Sequence, residues 1–174
     1  YDANMSQVFF DELDIPPPQL NLEVGSGRHG AQTGQMLEKI EACLLDMPER
    51  PRFLMVYGDT NSTLAGALAA AKLHIPVIHV EAGLRSFNRR MSEEINRITT
   101  DHLSDILCCS SPAGVAQLAR EGITKGVYDV GEVMQDAVQR FSARKAGAAP
   151  QTLNEARPLP DLRPDSYLLF TLHR

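Results

Sequence analysis

Four acidic residues stand where chemistry at two strand ends and a helix start would need them. Asp59 follows the apolar run Phe53-Leu54-Met55-Val56-Tyr57 and Gly58, Glu81 follows Val77-Ile78-His79-Val80, and Glu93 with Glu94 opens a helical stretch further on. Arg85, Arg89, Arg90 and Arg97 are interleaved with them. Acids that exchange protons, set among arginines that balance negative charge, suit an anionic ligand that undergoes proton transfer. The blander reading is that Glu93 and Glu94 favour a helix N-terminus and the arginines are solvated. It loses ground here because the charges follow directly on strand ends.

The elements that must position these groups form one unit. A continuous rather than alternating apolar run over Phe53–Tyr57 suggests a strand covered on both faces, as in parallel sheets. Asn61 or Ser62 can cap the next helix, whose body from Leu64 to Leu73 is mostly Leu and Ala with Gly66 among them. Such a helix packs close against a sheet. Pro76 opens the second strand. A right-handed crossover brings Asp59 and Glu81 to one rim, outside the carboxyl ends of the strands, where open parallel sheets bind ligands.

Gly58-Asp59-Thr60-Asn61-Ser62-Thr63, His79-Val80-Glu81-Ala82-Gly83-Leu84-Arg85 through Glu93-Glu94-Ile95-Asn96-Arg97, and the Thr100–Asp105 stretch behind them resemble the non-hydrolysing UDP-N-acetylglucosamine 2-epimerase family. The terminal Thr171-Leu172-His173-Arg174 resembles that family's TxHR motif, and the likeness runs the length of the chain. Ser92 departs from the proline usual before the two glutamates, and Glu132 from the usual Asn or Asp after glycine. The resemblance implies the N-terminal half of a two-domain, glycosyltransferase-B-like fold. It also implies that both ends are cut: an N-terminal strand–helix–strand portion and nearly all of the second domain are expected outside this chain.

Composition narrows the alternatives. At 174 residues the chain can bury a real core, and its net charge of −5 without a basic run argues against a nucleic-acid binder. No apolar segment approaches the ~20 residues of a membrane helix. Cys43, Cys108 and Cys109 are odd in number and include no CxxC pair. That pattern fits a reducing compartment and neither a disulfide framework nor a zinc site. Cys108 and Cys109, in a strand-like run, read as small buried hydrophobes.

Along the chain, Ser6–Leu13 reads as the tail of a helix, stopped by Pro16-Pro17-Pro18. Leu20, Leu22 and Val24 alternate with polar residues, which predicts a short strand near a sheet edge. In the doubly wound order 3-2-1-4-5, two absent strands would lie between it and the Phe53 strand, leaving a hole in the sheet. Gly25-Ser26-Gly27-Arg28-His29-Gly30 is literally a G-x-G-x-x-G, but the strand before it is short and the expected downstream acid falls near Glu49, in a loop. A flexible loop is the better reading than a dinucleotide site. Gln32–Asp46 has a helical apolar stripe of Met36, Leu37, Ile40, Leu44 and Met47. Beyond Arg97 the helix continues to Leu103. Then follow a strand at Asp105–Cys109, a helix from Ser111-Pro112 to about Glu121 stopped by Gly122, and a strand at Val127–Val130. Glu132–Phe141 reads as a helix with Val133, Ala137, Val138 and Phe141 on one side. The domains expected are a Rossmann-like α/β domain over 1–141, a linker over 142–166, and the first strand of a UDP-binding domain over 167–174.

The resemblance further implies interconversion of UDP-N-acetylglucosamine and UDP-N-acetylmannosamine, through elimination of UDP to 2-acetamidoglucal and re-addition. Position by position it assigns Asp59, Glu81, Glu93 and His173 as catalytic, with Arg85, Glu94, Arg97 and Arg174 as substrate-binding. Arg85 is equally open to orienting Glu81 or Glu93. No cofactor and no metal are expected, and a cytoplasmic homodimer supplying surface-polysaccharide precursors is implied. His79 and Glu81 form an H-x-E, which reads as a packed or hydrogen-bonded histidine rather than a metal ligand because no P-C-x-x-C accompanies it. His29, His74 and His102 read as loop, turn and helix-face residues. The alternatives are a 2-epimerase of another UDP-2-acetamido sugar such as a 2,3-diacetamido uronate, a glycosyltransferase of the same fold, and a chain that binds weakly or does nothing alone.

Overall fold

The structure, a computed structural model, describes Phe10 and residues 15–145. The element order from α1 to β4 is α1 (His29–Leu45), β1 (Leu54–Tyr57), α2 (Asn61–Lys72), β2 (Val77–Ala82), α3 (Ser92–Leu103), β3 (Ile106–Cys109), α4 (Pro112–Arg120) and β4 (Val127–Asp129). The four strands form one parallel sheet in the order β1-β2-β3-β4. Leu54 pairs with Val77, Ile78 with Ile106, and Leu107 with Val127. A second compact unit begins at Val133 and is described by itself: its helix α5 spans Val133–Lys145. The first four residues of the expected linker are thus helical, since Ser142-Ala143-Arg144-Lys145 contains no helix breaker. On α5, Val133 and Val138 of the expected apolar side are largely exposed.

Consecutive parallel strands joined by crossovers of one hand place their helices on one face of the sheet. Burial follows that rule. Val56, Val77, His79 and Leu107 are buried, whereas Met55 and Tyr57 are 50% and 63% exposed. In the described sheet β1 stands at the end of the strand order and is covered on one face, where its continuous apolar run suggests cover on both. Beneath it, α2 lies close because its residues are small. Ala65, Ala67 and Ala70 are fully buried, and a Cβ on Gly66 would come within 3.1 Å of Val56 Cγ1. The core continues through Leu44 and Ile75, with Leu37 and Ile40 of α1 packed against it.

Residues 20–24 form no strand, contrary to the alternation of Leu20, Leu22 and Val24. A strand needs a ladder partner. This segment is held instead by side chains of α1, with Lys39 Nζ donating to the Leu22 carbonyl at 2.6 Å and Gln32 Nε2 to that of Gly25 at 3.1 Å. The described sheet is accordingly contiguous and has no hole. Without a preceding strand the G-x-G-x-x-G also lacks the context of a dinucleotide site. A Cβ on Gly25, Gly27 or Gly30 would meet nothing within 4 Å, and α1 starts inside the motif at His29. The cap of α2 is Thr60, one residue before the expected pair. Its hydroxyl accepts from the Thr63 amide while Thr63 Oγ1 accepts from the Thr60 amide at 3.2 Å. The expected helix at Ser6–Leu13 lies, Phe10 apart, outside the described residues. No helix among the described residues is long and apolar enough to cross a membrane.

Candidate active site

The carboxyl ends of β1 and β2 and the first turn of α3 meet at one rim. Asp59 sits in the turn after β1, which Gly58 enters at φ +66°. The Gly58 amide donates to the Val80 carbonyl at 3.0 Å, tying this turn to β2. Glu81 is the extra residue of a β-bulge: Val80 pairs with Cys108 and Ala82 with Cys109, and Glu81 takes φ +73°. Bulges re-aim a side chain, and a non-glycine residue in the left-handed region persists only where its surroundings hold it. The re-aimed carboxylate lies over the β1 turn, since a Cβ on Gly58 would stand 3.4 Å from Glu81 Oε2. The regular alternation behind the H-x-E pairing is thereby broken, and His79 is fully buried.

Helix α3 supplies the third acid. Its N-cap, Met91, has no capping side chain, and Glu93 and Glu94 occupy its first turn. Glu93 is exposed at the rim. Its carboxyl lies below the ordinary range, chiefly through a hydrogen bond with its own backbone amide, with help from the Ser92 hydroxyl and the charges of Arg97 and His29. One turn on, Arg97 bridges the site: Nη2 pairs with Asp59 Oδ2, and Nη1 lies 3.3 Å from Glu94 Oε2. Asn96 Nδ2 donates to the Asp59 carbonyl at 2.9 Å and to Asn61 Oδ1 at 3.2 Å. Asn61 in turn reaches His29 Nδ1 at 3.2 Å and Gln32 Oε1 at 2.7 Å. The first turn of α1 therefore borders the same rim.

Two expected binding residues lie inside the fold. Glu94 is 1% exposed. Its carboxylate accepts from the Ser86 and Phe87 amides at 2.8 and 2.9 Å and from the Ser86 hydroxyl at 3.0 Å. Burial pushes this carboxyl up, but those hydrogen bonds and Arg97 outweigh it and leave it below the ordinary range. Arg85, its side chain 2% exposed, donates through Nε and Nη2 to both Glu121 oxygens at 2.8 and 2.6 Å, and its Nη1 lies 2.7 Å from Asp101 Oδ2. Burial lowers its pKa, but the pairing with Glu121 and Asp101 outweighs that and leaves a net rise. No contact of Arg85 with Glu81 or Glu93 is seen among the described residues. His173 and Arg174 lie outside them.

Asp101 and Asn96 carry no role in a local reading, and Asn61 only that of a helix cap. Their signal is indirect: Glu94, Arg97 and Asp101 are polar residues at core spacing on one helix, where apolar ones would be routine. His79 is hydrogen-bonded, as its packed position predicts. His102 Nδ1 lies 2.9 Å from the Ile98 carbonyl on an exposed helix face, and His74 turns at φ +56° ahead of β2. Cys109 is buried, and burial together with the nearby charge of Asp101 pushes its thiol up to about 11; Cys108 is half-buried.

Known proteins resemble this chain in sequence and fold. The model of the UDP-N-acetylglucosamine 2-epimerase family matches residues 1–174. A UDP-N-acetylglucosamine 2-epimerase homolog of Methanococcus maripaludis is 49% identical over 174 residues, covering 100% of this chain and 47% of that protein. The UDP-2,3-diacetamido-2,3-dideoxy-D-glucuronate 2-epimerase of Pseudomonas aeruginosa is 48% identical over 177 residues, again covering 100% of this chain and 47% of the relative. The crystal structure of Methanocaldococcus jannaschii UDP-GlcNAc 2-epimerase in complex with UDP-GlcNAc and UDP superposes with a TM-score of 0.81. It is 48% identical, over 85% of this chain and 41% of that one. The parallel α/β architecture is that of the glycosyltransferase-B-like fold of these neighbours. The chain spans about half the length of the curated relatives it matches. By the match along its whole length, the chain belongs to the UDP-N-acetylglucosamine 2-epimerase family.

Proposed function

We propose that the whole protein to which this chain belongs inverts C2 of a UDP-2-acetamido sugar, interconverting UDP-N-acetylglucosamine and UDP-N-acetylmannosamine. The observation that carries the reading is Arg97, which pairs with Asp59 and whose charge acts on Glu93, together with Glu81 Oε2 lying over the Gly58 turn. The proton on C2 is not acidic in the bound sugar, so cleavage of the anomeric C–O bond leads and leaves positive character on the ring. UDP departs, the C2 proton is taken to give 2-acetamidoglucal, and a proton returns to C2 from the other face as UDP re-adds. Such a route needs an acid/base group on each face of C2 and negative charge beside the ring, which three carboxylates supply. His173 and Arg174 serve the departing diphosphate in this reading. Arg97 holds Asp59 in place through their ion pair, while Arg85 and Glu94 act through the loop they hold. The proposal extends, by family likeness, to a cytoplasmic homodimer without cofactor or metal.

A second substrate is favoured by one finding: the diacetamido-glucuronate 2-epimerase of Pseudomonas aeruginosa is as similar to this chain as the N-acetylglucosamine enzymes are. The discriminating experiment offers the full-length protein each UDP-sugar separately and follows anomeric protons by NMR. Appearance of the manno epimer from UDP-N-acetylglucosamine supports the first substrate, and epimerisation of the diacetamido uronate alone supports the second. Transfer of the sugar to an added acceptor, with no epimer, would replace both with a glycosyltransferase.

A further inference from the structure

Behind the rim lies a buried polar cluster that the proposed chemistry does not use. His79 is fully buried and bonded through both ring nitrogens: Nδ1 lies 2.6 Å from Asp101 Oδ1, and Nε2 lies 2.8 Å from the Gly58 carbonyl. A carbonyl only accepts, so Nε2 carries a proton, and the contact with the carboxylate requires another on the Nδ1–Oδ1 line. The second oxygen of Asp101 accepts from the Gly83 amide at 3.1 Å and pairs with Arg85 Nη1 at 2.7 Å. Arg85 continues to Glu121 at the end of α4 and to its neighbour, the Leu84 carbonyl, at 2.7 Å.

The placement of these partners is what matters. Gly58 immediately precedes Asp59, and Gly83 follows Glu81 by two residues, at φ +66° and +80°. His79 and Asp101 thus hold, from beneath, the two turns that carry two of the three acids. Asp101 does so from the same helix that presents Glu93. A carboxylate in a bulge at φ +73° keeps its aim only if the turn after it is fixed.

We infer that the proton-sharing pair His79–Asp101, anchored by Arg85 and Glu121, is a positioning unit that sets the Asp59 and Glu81 turns relative to one another. The inference rests on the epimerase reading for its kinetic consequence, though not for its structural one. His79, Asp101 and Arg85 are positioning residues and touch no substrate.

The pair has a built-in rescue. In Asp101→Asn, the new amide nitrogen donates to Nδ1 of a neutral, Nε2-protonated imidazole, while the remaining oxygen still accepts from Gly83 and Arg85. The geometry survives with the proton-sharing imidazole–carboxylate pair replaced by a neutral imidazole–amide pair. In His79→Asn, a link to Asp101 survives but the ring's bond to Gly58 is lost. In Asp101→Leu, the links to His79, Gly83 and Arg85 are all lost.

The test uses the full-length protein and reads kcat and KM for the UDP-sugar together with amide hydrogen exchange of peptides spanning residues 57–60 and 82–85. Asp101→Asn is expected to keep kcat within about tenfold of wild type. His79→Asn and Asp101→Leu are expected to lose about a hundredfold in kcat, the order of effect of misplacing a reacting group by an ångström, with KM little changed. Exchange at residues 57–60 should rise in His79→Asn, and at 82–85 in Asp101→Leu. Should Asp101→Leu fail to fold, His79→Asn decides. A folded His79→Asn with wild-type kcat and unchanged exchange overturns the inference and leaves a mere structural staple. Equal kcat losses in Asp101→Asn and Asp101→Leu also overturn it. If the wild type turns over neither UDP-sugar, the epimerase reading fails, and the exchange of the two turns still decides the positioning role.

Discussion

Gly83→Ala is the substitution that tests most sharply how the Glu81 bulge is held. Gly83 sits at φ +80°, and a Cβ built there would lie 2.5 Å from the Gly114 carbonyl oxygen and 2.8–2.9 Å from that residue's carbonyl carbon and Cα. Two costs add. A side chain in the left-handed region costs roughly 1–2 kcal/mol. Forcing a methyl against the backbone of α4, which cannot swing aside as a flexible side chain can, costs about 1–3 kcal/mol more. Gly122 is the internal control: its φ is +84°, yet a Cβ there would meet nothing within 4 Å, so Gly122→Ala bears only the first cost. Gly83→Ala should therefore destabilise by about 1–3 kcal/mol more than Gly122→Ala, read from calorimetric unfolding of both variants in the full-length protein. It should also lower kcat, because relief of the clash moves the turn that follows Glu81. Equal destabilisation by the two substitutions, with equal kcat, would refute the close approach of the bulge to α4.

Other consequences follow from the same geometry. Glu94→Gln turns one acceptor oxygen into a donor facing the Ser86 or Phe87 amide and should cost about 1–3 kcal/mol at neutral pH. Because the folded-state pKa of Glu94 is depressed, its contribution is fully present above the unfolded value of about 4.3 and is lost as pH falls through the lower folded value. Urea midpoints measured from pH 6 to pH 3 should converge for Glu94→Gln and wild type at the acid end, and a constant gap would contradict this. Arg97→Met removes the partner shared by Asp59 and Glu94 and should lower kcat at least about tenfold. Arg97→Lys should restore only part of it, because an ammonium group lacks the fork that spans two carboxylates. Cys109, buried with its thiol pushed up to about 11, should resist iodoacetamide in the native protein at pH 8 and react only on unfolding, as peptide mass spectrometry would show.

Much of the scaffold is legible because it depends on local patterns. The apolar run before Gly58, the proline ahead of Val77, the small residues of α2 and the Ser111-Pro112 start of α4 each mark an element without knowledge of its neighbours. The misreadings share a cause. Leu20, Leu22 and Val24 alternate as a strand does, but a ladder also needs a partner, and here α1 offers only side chains. The Phe53 run is apolar on both faces, yet among the described residues β1 ends the strand order and is covered on one face. The site divides in the same way. Asp59, Glu81 and Glu93 stand out because acids at strand ends and helix starts are visible locally. The burial of Arg85 and Glu94 depends on Glu121, Asp101 and the Ser86-Phe87 amides, whose closeness only the tertiary structure supplies. The bulge at Glu81 is equally hidden, since Val-Glu-Ala reads as an unbroken strand end.

Inversion at C2 by proton exchange is the step on which the proposed chemistry rests. The full-length protein incubated with UDP-N-acetylglucosamine in deuterated water, followed by proton NMR, is predicted to yield the manno epimer with deuterium at C2. Epimer formed with C2 still fully protonated would contradict proton exchange with solvent, and neither epimer nor exchange, there or with the diacetamido uronate, would contradict the epimerase itself.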